Sequence, residues 1–328
     1  MPTVARPALD PELGALLTDF PLIPRITPEI LLQLRRIPTP PLEAVLMGRA
    51  VEQREVTVPA DDTAIPMTVL TPAAPAPAAP CVYWMHGGGM IMGDRFSQLD
   101  IPLEWLDAIG AVVVTVDYRL APEHGGITPV QDCYRGLCWI ADHAAELGID
   151  PDRIVVAGTS AGGGLAAGVT LMARDLGGPA IAAQILSCPM LDHRNTSTSS
   201  RQYSGQPTVW TGETNEFAWN AVLTGLPHDR IPAYISPSRA DDLSGLPPAY
   251  IDAGSAEVFR DEDVDYATRI WAAGGHAELH LWAGGFHGFD ALFPQACLSA
   301  AARRARTEWL TRVLQGLATG PDHPAPTL

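Results

Sequence analysis

Arg153-Ile154-Val155-Val156-Ala157-Gly158-Thr159-Ser160-Ala161-Gly162 is the stretch that decides the fold. Its first half is an apolar, β-branched run that reads as a short buried strand. Small residues and then Leu165-Ala166-Ala167 follow it and read as a helix. A Gly-x-Ser-x-Gly turn between strand and helix is a nucleophile elbow, which holds a serine in strained backbone geometry and exposes its hydroxyl. The glycines on either side remove side chains that would clash in so sharp a turn.

Two further pieces lie outward from the elbow. Upstream, Cys81-Val82-Tyr83-Trp84-Met85 reads as a strand ending in His86-Gly87-Gly88-Gly89, a loop whose backbone N–H groups can approach a developing oxyanion. Downstream, Ala277-Glu278-Leu279-His280-Leu281-Trp282 alternates like a strand and runs into Gly284-Gly285-Phe286-His287-Gly288-Phe289, which places a general base at His287. In the chain order serine, acid, histidine, the acid falls between Ser160 and His287, after the strand Pro248–Gly254. Asp252, Glu257, Asp261, Glu262, Asp263 and Asp265 all stand in that region. The acids from Asp261 onward also read as the solvated first turn of a helix, where negative charge suits the helix dipole.

Organisation along the rest of the chain follows the same alternation. Arg54–Val58 and Ile65–Leu70 alternate like an opening hairpin, and the Ala/Pro-rich segment 72–80 reads as a surface loop. Apolar runs recur at Val82–Met85, Ala111–Val116, Ile154–Ala157, Ile181–Leu186, Ala249–Ile251 and Glu278–Trp282. Helical patterns lie at Glu29–Leu34, Leu42–Val51, Pro129–Leu147, Gly162–Leu176, Glu262–Ala273 and Cys297–Leu317. Strands alternating with helices predict an α/β fold, a mostly parallel twisted sheet with helices on both faces. The Ser/Thr-rich stretch from His193 to about Asp242, with Val209, Trp210, Phe217, Trp219 and Leu223, interrupts the pattern.

Bulk properties bound the function. With 328 residues, 47% of them hydrophobic, the chain supports one large domain with a sizeable core. The net charge is −16 and every basic residue is Arg. Such a surface argues against nucleic acid and anionic membrane partners and suits neutral substrates. Cys81, Cys133, Cys138, Cys188 and Cys297 are scattered and odd in number, as reduced thiols are. No signal peptide is evident and no run of eighteen apolar residues is present, so a cytoplasmic protein is expected. No metal or other cofactor is expected, because no cysteine pair has a zinc-site spacing.

Together these motifs resemble the hormone-sensitive-lipase-like branch of the α/β-hydrolase esterases. The resemblance rests on His86-Gly87-Gly88-Gly89, on Asp117-Tyr118-Arg119-Leu120-Ala121-Pro122-Glu123-His124, on the stretch Asp252–Glu262 and on the His287 loop, and it covers roughly residues 50 to 315. It implies an α/β-hydrolase sheet of about eight strands, with a catalytic domain over 51–192 and 243–320. It also implies a helical cap from residues 1–50 and about 193–242, with 321–328 left as a tail. Thr159 stands where the family commonly has Asp, as in a recognised subgroup.

The resemblance also assigns roles. The family usually reads Asp-Pro-Leu-Arg-Asp-Glu where this chain reads Glu257-Val258-Phe259-Arg260-Asp261-Glu262, which puts Glu257 on the catalytic acid and leaves Asp252 and Asp261 as alternatives. Ser160 is then the nucleophile and His287 the base. Gly88, Gly89 and Ala161 supply the oxyanion N–H groups, with His86 and Gly87 shaping the loop. Asp117 braces its own loop. Met90, Trp210 and Phe217 are candidate pocket residues, with Met92 near them. Gly125-Gly126-Ile127-Thr128 replaces the family's Pro-Phe-Pro-Ala, which bears on the shape of the entrance. The expected activity is hydrolysis of short- to medium-chain esters by a soluble enzyme. A homodimer through the last strand and nearby helix is implied as well. The same triad serves lactones, amides, carbamates and acetyl groups.

Overall fold

The strand that delivers Ser160 runs through the middle of an eight-stranded sheet in the computed structural model, which describes residues 5–61, 63–227 and 230–319. The strands are β1 (Val51–Ala60), β2 (Thr63–Pro72), β3 (Ala79–Met85), β4 (Val112–Val116), β5 (Ile149–Thr159), β6 (Ala183–Ser187), β7 (Ala249–Gly254) and β8 (Ala277–Trp282), in the order β1-β2-β4-β3-β5-β6-β7-β8. β2 is antiparallel to β1 and to β4; every other pair is parallel. The expected tail 321–328 lies outside the described residues.

The central strands are buried on both faces, as parallel strands covered by helices must be. Alternate residues feed two cores. Cys81, Tyr83, Met85, Val112, Val114, Ile154 and Val156 enter one, packed by α5 (Thr128–Asp142), α7 (Ala161–Leu176) and α10 (Arg260–Ala272). Val82, Trp84, Val113, Val155 and Ala157 enter the other, packed by α4 (Asp100–Ile109) and α12 (Cys297–Thr319). Trp84 and Trp105 meet edge to face there, with centroids 6.1 Å apart. Each such fully buried large side chain stabilises the fold by about 1.5–3 kcal/mol.

The glycines at the start of helix α7 lie close against backbone. A Cβ on Gly162 would stand 2.0 Å from Met85 O, and one on Gly164 would stand 2.2 Å from Met190 O. That proximity explains glycines in a helix interior, where each costs about 1 kcal/mol relative to Ala.

Some elements differ from the sequence reading. The helix expected over Leu42–Val51 is a single turn, α3 (Leu42–Val45), because Gly48 turns with φ 82° and Val51 already pairs with Pro72 in the hairpin. The helix expected over Pro129–Leu147 breaks at His143, and α6 (Ala144–Leu147) continues it. Helix α4 was not anticipated; Pro102 in its first turn reads as a breaker but sits where no N–H is required. The first turn of α10 is not solvated throughout: Glu262 and Asp263 are buried. Glu262 is drawn inward by the N–H groups of Leu191 and Asp192, which donate to its Oε1 at 2.8 and 3.1 Å.

The N-terminal segment, which carries α1 (Pro11–Leu17) and α2 (Pro28–Leu34), is bonded to the segment that carries α8 (Thr198–Gln202) and α9 (Gly212–Val222). Thr211 donates its hydroxyl to Pro24 O at 3.0 Å, and Arg6 donates to Gln202 O. Arg35 at the end of α2 donates to Ile91 O and Ala121 O, which ties the N-terminal segment to the loop after β3.

Candidate active site

Ser160 joins β5 to α7 with φ 56° and ψ −122°, the strained conformation that the elbow motif demands. Its N–H donates to Ser187 O at 2.8 Å, and its carbonyl accepts from Met190 N–H and Gly164 N–H. The strained residue is thus held by three backbone bonds. A Cβ on Gly158 would lie 2.3 Å from Gly162 O, so the turn closes on itself only with glycine at this place.

His287 lies 2.9 Å from Ser160 through Nε2 and 2.7 Å from Glu257 Oε2 through Nδ1. The tautomer that satisfies both contacts carries its proton on Nδ1, donates it to Glu257, and accepts the Ser160 hydroxyl at Nε2. All three side chains are buried. The loops that carry the acid and the histidine are joined to each other: Ser255 N–H donates to Trp282 O and Ala256 N–H to Gly285 O, each at 2.9 Å. The Phe259 ring meets the imidazole edge to face with centroids 5.0 Å apart.

The other candidate acids point elsewhere. Asp252 accepts from Arg306 at 2.9 Å and from Trp282 Nε1 at 3.2 Å. Asp261 accepts the Ser199 N–H at 2.8 Å, which anchors α8. Arg306 also binds Asp290 at 3.0 Å, in the short helix α11 (Phe289–Leu292) that follows His287. This buried guanidinium therefore braces the acid-bearing strand and the histidine loop together.

The glycine loop is built to leave amides available. Gly87 N–H is committed to Gln98 Oε1 at 2.9 Å, whereas Gly88 and Gly89 turn with φ 113° and 65°. Ala161 opens α7 directly after Ser160, so its amide lies at a helix N-terminus that attracts negative charge. His86 is fully buried, stacks on Tyr118 with centroids 4.2 Å apart, and donates from Nδ1 to Gly87 O at 2.7 Å. Burial pushes its pKa down to about 4, so the ring is a neutral pin for the loop. Asp117 is paired with Arg95 at 3.0 Å, in the bracing position expected of it.

Of the pocket candidates, Trp210 packs against both His287 and the glycine loop. Its ring centroid lies 6.1 Å from that of His287, and a Cβ on Gly89 would be 2.7 Å from its Cη2. Asn215 Oδ1 accepts its indole N–H at 3.3 Å, and Asn195 in turn accepts from Asn215 at 3.0 Å. Phe217 and Met92 are partly buried against the larger core, and Met90 is buried in it with φ 59°. The departure at Gly125-Gly126 packs against α9: Gly126 N–H donates to Val222 O at 2.6 Å.

Four residues of the site carried no sequence signal. Gln98 and Asn215 act through side-chain bonds that no motif marks, and Arg35 through contacts distant in sequence. Cys188, with φ 39°, sits beside the triad and 3.6 Å from Thr159 Oγ1. Cys188, Glu257 and His287 are the one group among the described residues with metal-ligand spacing, their donor atoms lying within 4.8 Å of one another.

A strained serine after a central strand, an imidazole between it and a buried carboxylate, and a glycine loop beside it define a nucleophile-elbow hydrolase site. A family profile described as the alpha/beta hydrolase fold matches residues 82–291. Carboxylesterase NlhH of Mycobacterium tuberculosis is 38% identical over 288 residues, covering 85% of this chain and 88% of its own. Among solved structures, a bacterial heroin esterase superposes with a TM-score of 0.86 at 36% identity, covering 94% of this chain and 99% of its own. A hyperthermophilic esterase from the archaeon Pyrobaculum calidifontis superposes at 0.81 with 29% identity over 94% of this chain and 100% of its own. The chain belongs to the α/β-hydrolase family, in its hormone-sensitive-lipase-like branch.

Proposed function

We propose that the protein is a serine carboxylesterase that hydrolyses short- to medium-chain acyl esters of neutral alcohols. The observation that carries this reading is the Ser160–His287–Glu257 line, with contacts of 2.9 and 2.7 Å. Relatives named carboxylesterase and esterase support the same class of reaction.

The chemistry follows from the geometry. Ser160 Oγ attacks the acyl carbon as its proton passes to His287 Nε2, and Glu257 balances the imidazolium charge. The carbonyl oxygen becomes an alkoxide facing the amides of Gly88, Gly89 and Ala161. Each such donor lowers the barrier by about 3 kcal/mol. Collapse of the intermediate breaks the bond to the leaving alkoxide, which takes the proton from Nε2 and departs as the alcohol. Water, deprotonated at the same nitrogen, then releases the acid and restores Ser160.

The N-terminal segment 1–50 and residues 193–242 are read as the cap over this site, and Trp210 and Phe217 as its contribution to the pocket. The acidic, Lys-free surface favours neutral substrates over anionic ones. Unpaired thiols at all five cysteines support a reducing compartment, the cytoplasm. No described helix is long and apolar enough to cross a membrane. A homodimer would pair β8, which is an edge of the sheet and carries the exposed Leu281; sedimentation at the monomer mass would remove that element. Turnover of p-nitrophenyl acetate and butyrate, lost in Ser160→Ala, tests the activity.

A further inference from the structure

Behind the catalytic line lies a second buried carboxyl that the mechanism does not use. Asp263, in the first turn of α10, is fully buried, and neither of its carboxyl oxygens has a hydrogen-bond partner. Glu257 Oε1, the oxygen that His287 does not bind, is also buried without a partner. Asp263 follows the Glu257 loop by one helical turn: its N–H donates to Phe259 O at 3.1 Å in the opening bond of α10.

The charge around Asp263 has one sign. The titratable groups that act on it are Glu257 from the preceding loop, Glu262 from its own helix, Cys188 from the loop after β6 and Asp252 from β7. Arg306 binds Asp252 and Asp290, and Arg194 binds Asp192. Burial raises the neighbouring Glu262 carboxyl as well, although the Leu191 and Asp192 N–H groups serve it. An isolated buried carboxylate without a donor is among the costliest groups a protein can hold, and it neutralises instead. Burial first and the Glu257 charge second hold the Asp263 carboxyl well above the usual range. Two adjacent carboxyls then keep one proton between them. The His287 bond serves Glu257 alone.

We propose that Asp263 is a positioning residue: it remains a protonated carboxylic acid at neutral pH, and its O–H serves Glu257 Oε1, directly or through one bridging water. Glu257 is thereby held as the single negative charge behind His287, with both oxygens engaged when the imidazole becomes cationic. No bond beyond hydrogen bonds is made or broken, and the proton stays on Asp263 throughout turnover.

The kinetic half of the test rests on the esterase reading; the spectroscopic half does not. Infrared difference spectra of the unliganded protein at pH 8, wild type minus Asp263→Asn, are expected to contain the carbonyl stretch of a protonated carboxylic acid. Asp263→Leu, which removes the donor, is expected to lower kcat roughly tenfold, with KM within about twofold. Asp263→Asn, which keeps an N–H donor, should restore kcat to within about threefold of wild type. Absence of the protonated-acid band, or a Leu variant with wild-type kcat, would overturn the proposal. If neither wild type nor variants turn over any ester, the esterase reading fails, while the infrared band still decides the protonation state.

Discussion

Gly162 presses its Cα against the Met85 carbonyl so closely that a Cβ there would stand 2.0 Å from the oxygen. The contact joins the first turn of α7 to the strand before the glycine loop, and so fixes Ser160 relative to Gly88 and Gly89. The obstacle is backbone on a central strand, which cannot swing aside. Gly162→Ala should therefore destabilise the fold by about 3 kcal/mol or more in urea unfolding. Gly316→Ala, on an exposed part of α12 with open space around it, should stabilise by about 1 kcal/mol. Equal effects at the two sites would contradict the packing described.

The acid assignment separates Glu257 from Asp261 by function. Glu257→Ala should lower kcat on the order of a thousandfold or more, because His287 loses its orienting partner and its counter-charge. Asp261→Ala removes the bond to Ser199 N–H and should cost about 1 kcal/mol of stability with little change in kcat. Comparable kcat losses in the two variants would move the acid away from Glu257.

His86 gives the protein a specific acid sensitivity. Its folded pKa lies near 4, below the value of about 6.5 it takes when unfolded. Between those values the unfolded chain binds the extra proton, so stability is full above pH 6.5 and falls as pH drops towards 4. The slope attributable to this one group is about 1.4 kcal/mol per pH unit. In a titration of unfolding free energy, His86→Asn should flatten that part of the profile.

How far the site could be read from the chain depended on the kind of interaction involved. Ser160 and His287 were legible because the elbow and the histidine loop have fixed local sequence, and the two side chains meet at 2.9 Å. Glu257 was one of six carboxylates that position alone allowed, and only the resemblance singled it out; in the structure it is the one that meets His287. The burial of Glu262 was misread, because acids in a first helical turn look alike whether water or the Leu191 and Asp192 amides serve them. Gln98, which holds Gly87, and Asn215, which holds Trp210, carry no local pattern at all. The sheet followed from apolar runs between helical ones, whereas helix α4 was hidden by Pro102.

Trp210 should limit the acyl or alcohol group that the site accepts. Its indole lies over Gly89 and beside His287, fixed by Asn215. Trp210→Ala should shift the preferred p-nitrophenyl ester towards longer chains. Each added methylene that finds the new space should gain about 0.8 kcal/mol in kcat/KM. An unchanged chain-length profile would place the pocket elsewhere.

The most direct test of the central claim is steady-state hydrolysis of p-nitrophenyl esters from acetate to palmitate, by wild type and Ser160→Ala, with a fluorophosphonate label followed by mass spectrometry. The account predicts turnover greatest at short or medium chains, none in the variant, and the label on Ser160. Turnover that survives Ser160→Ala, or a label on another residue, would contradict it.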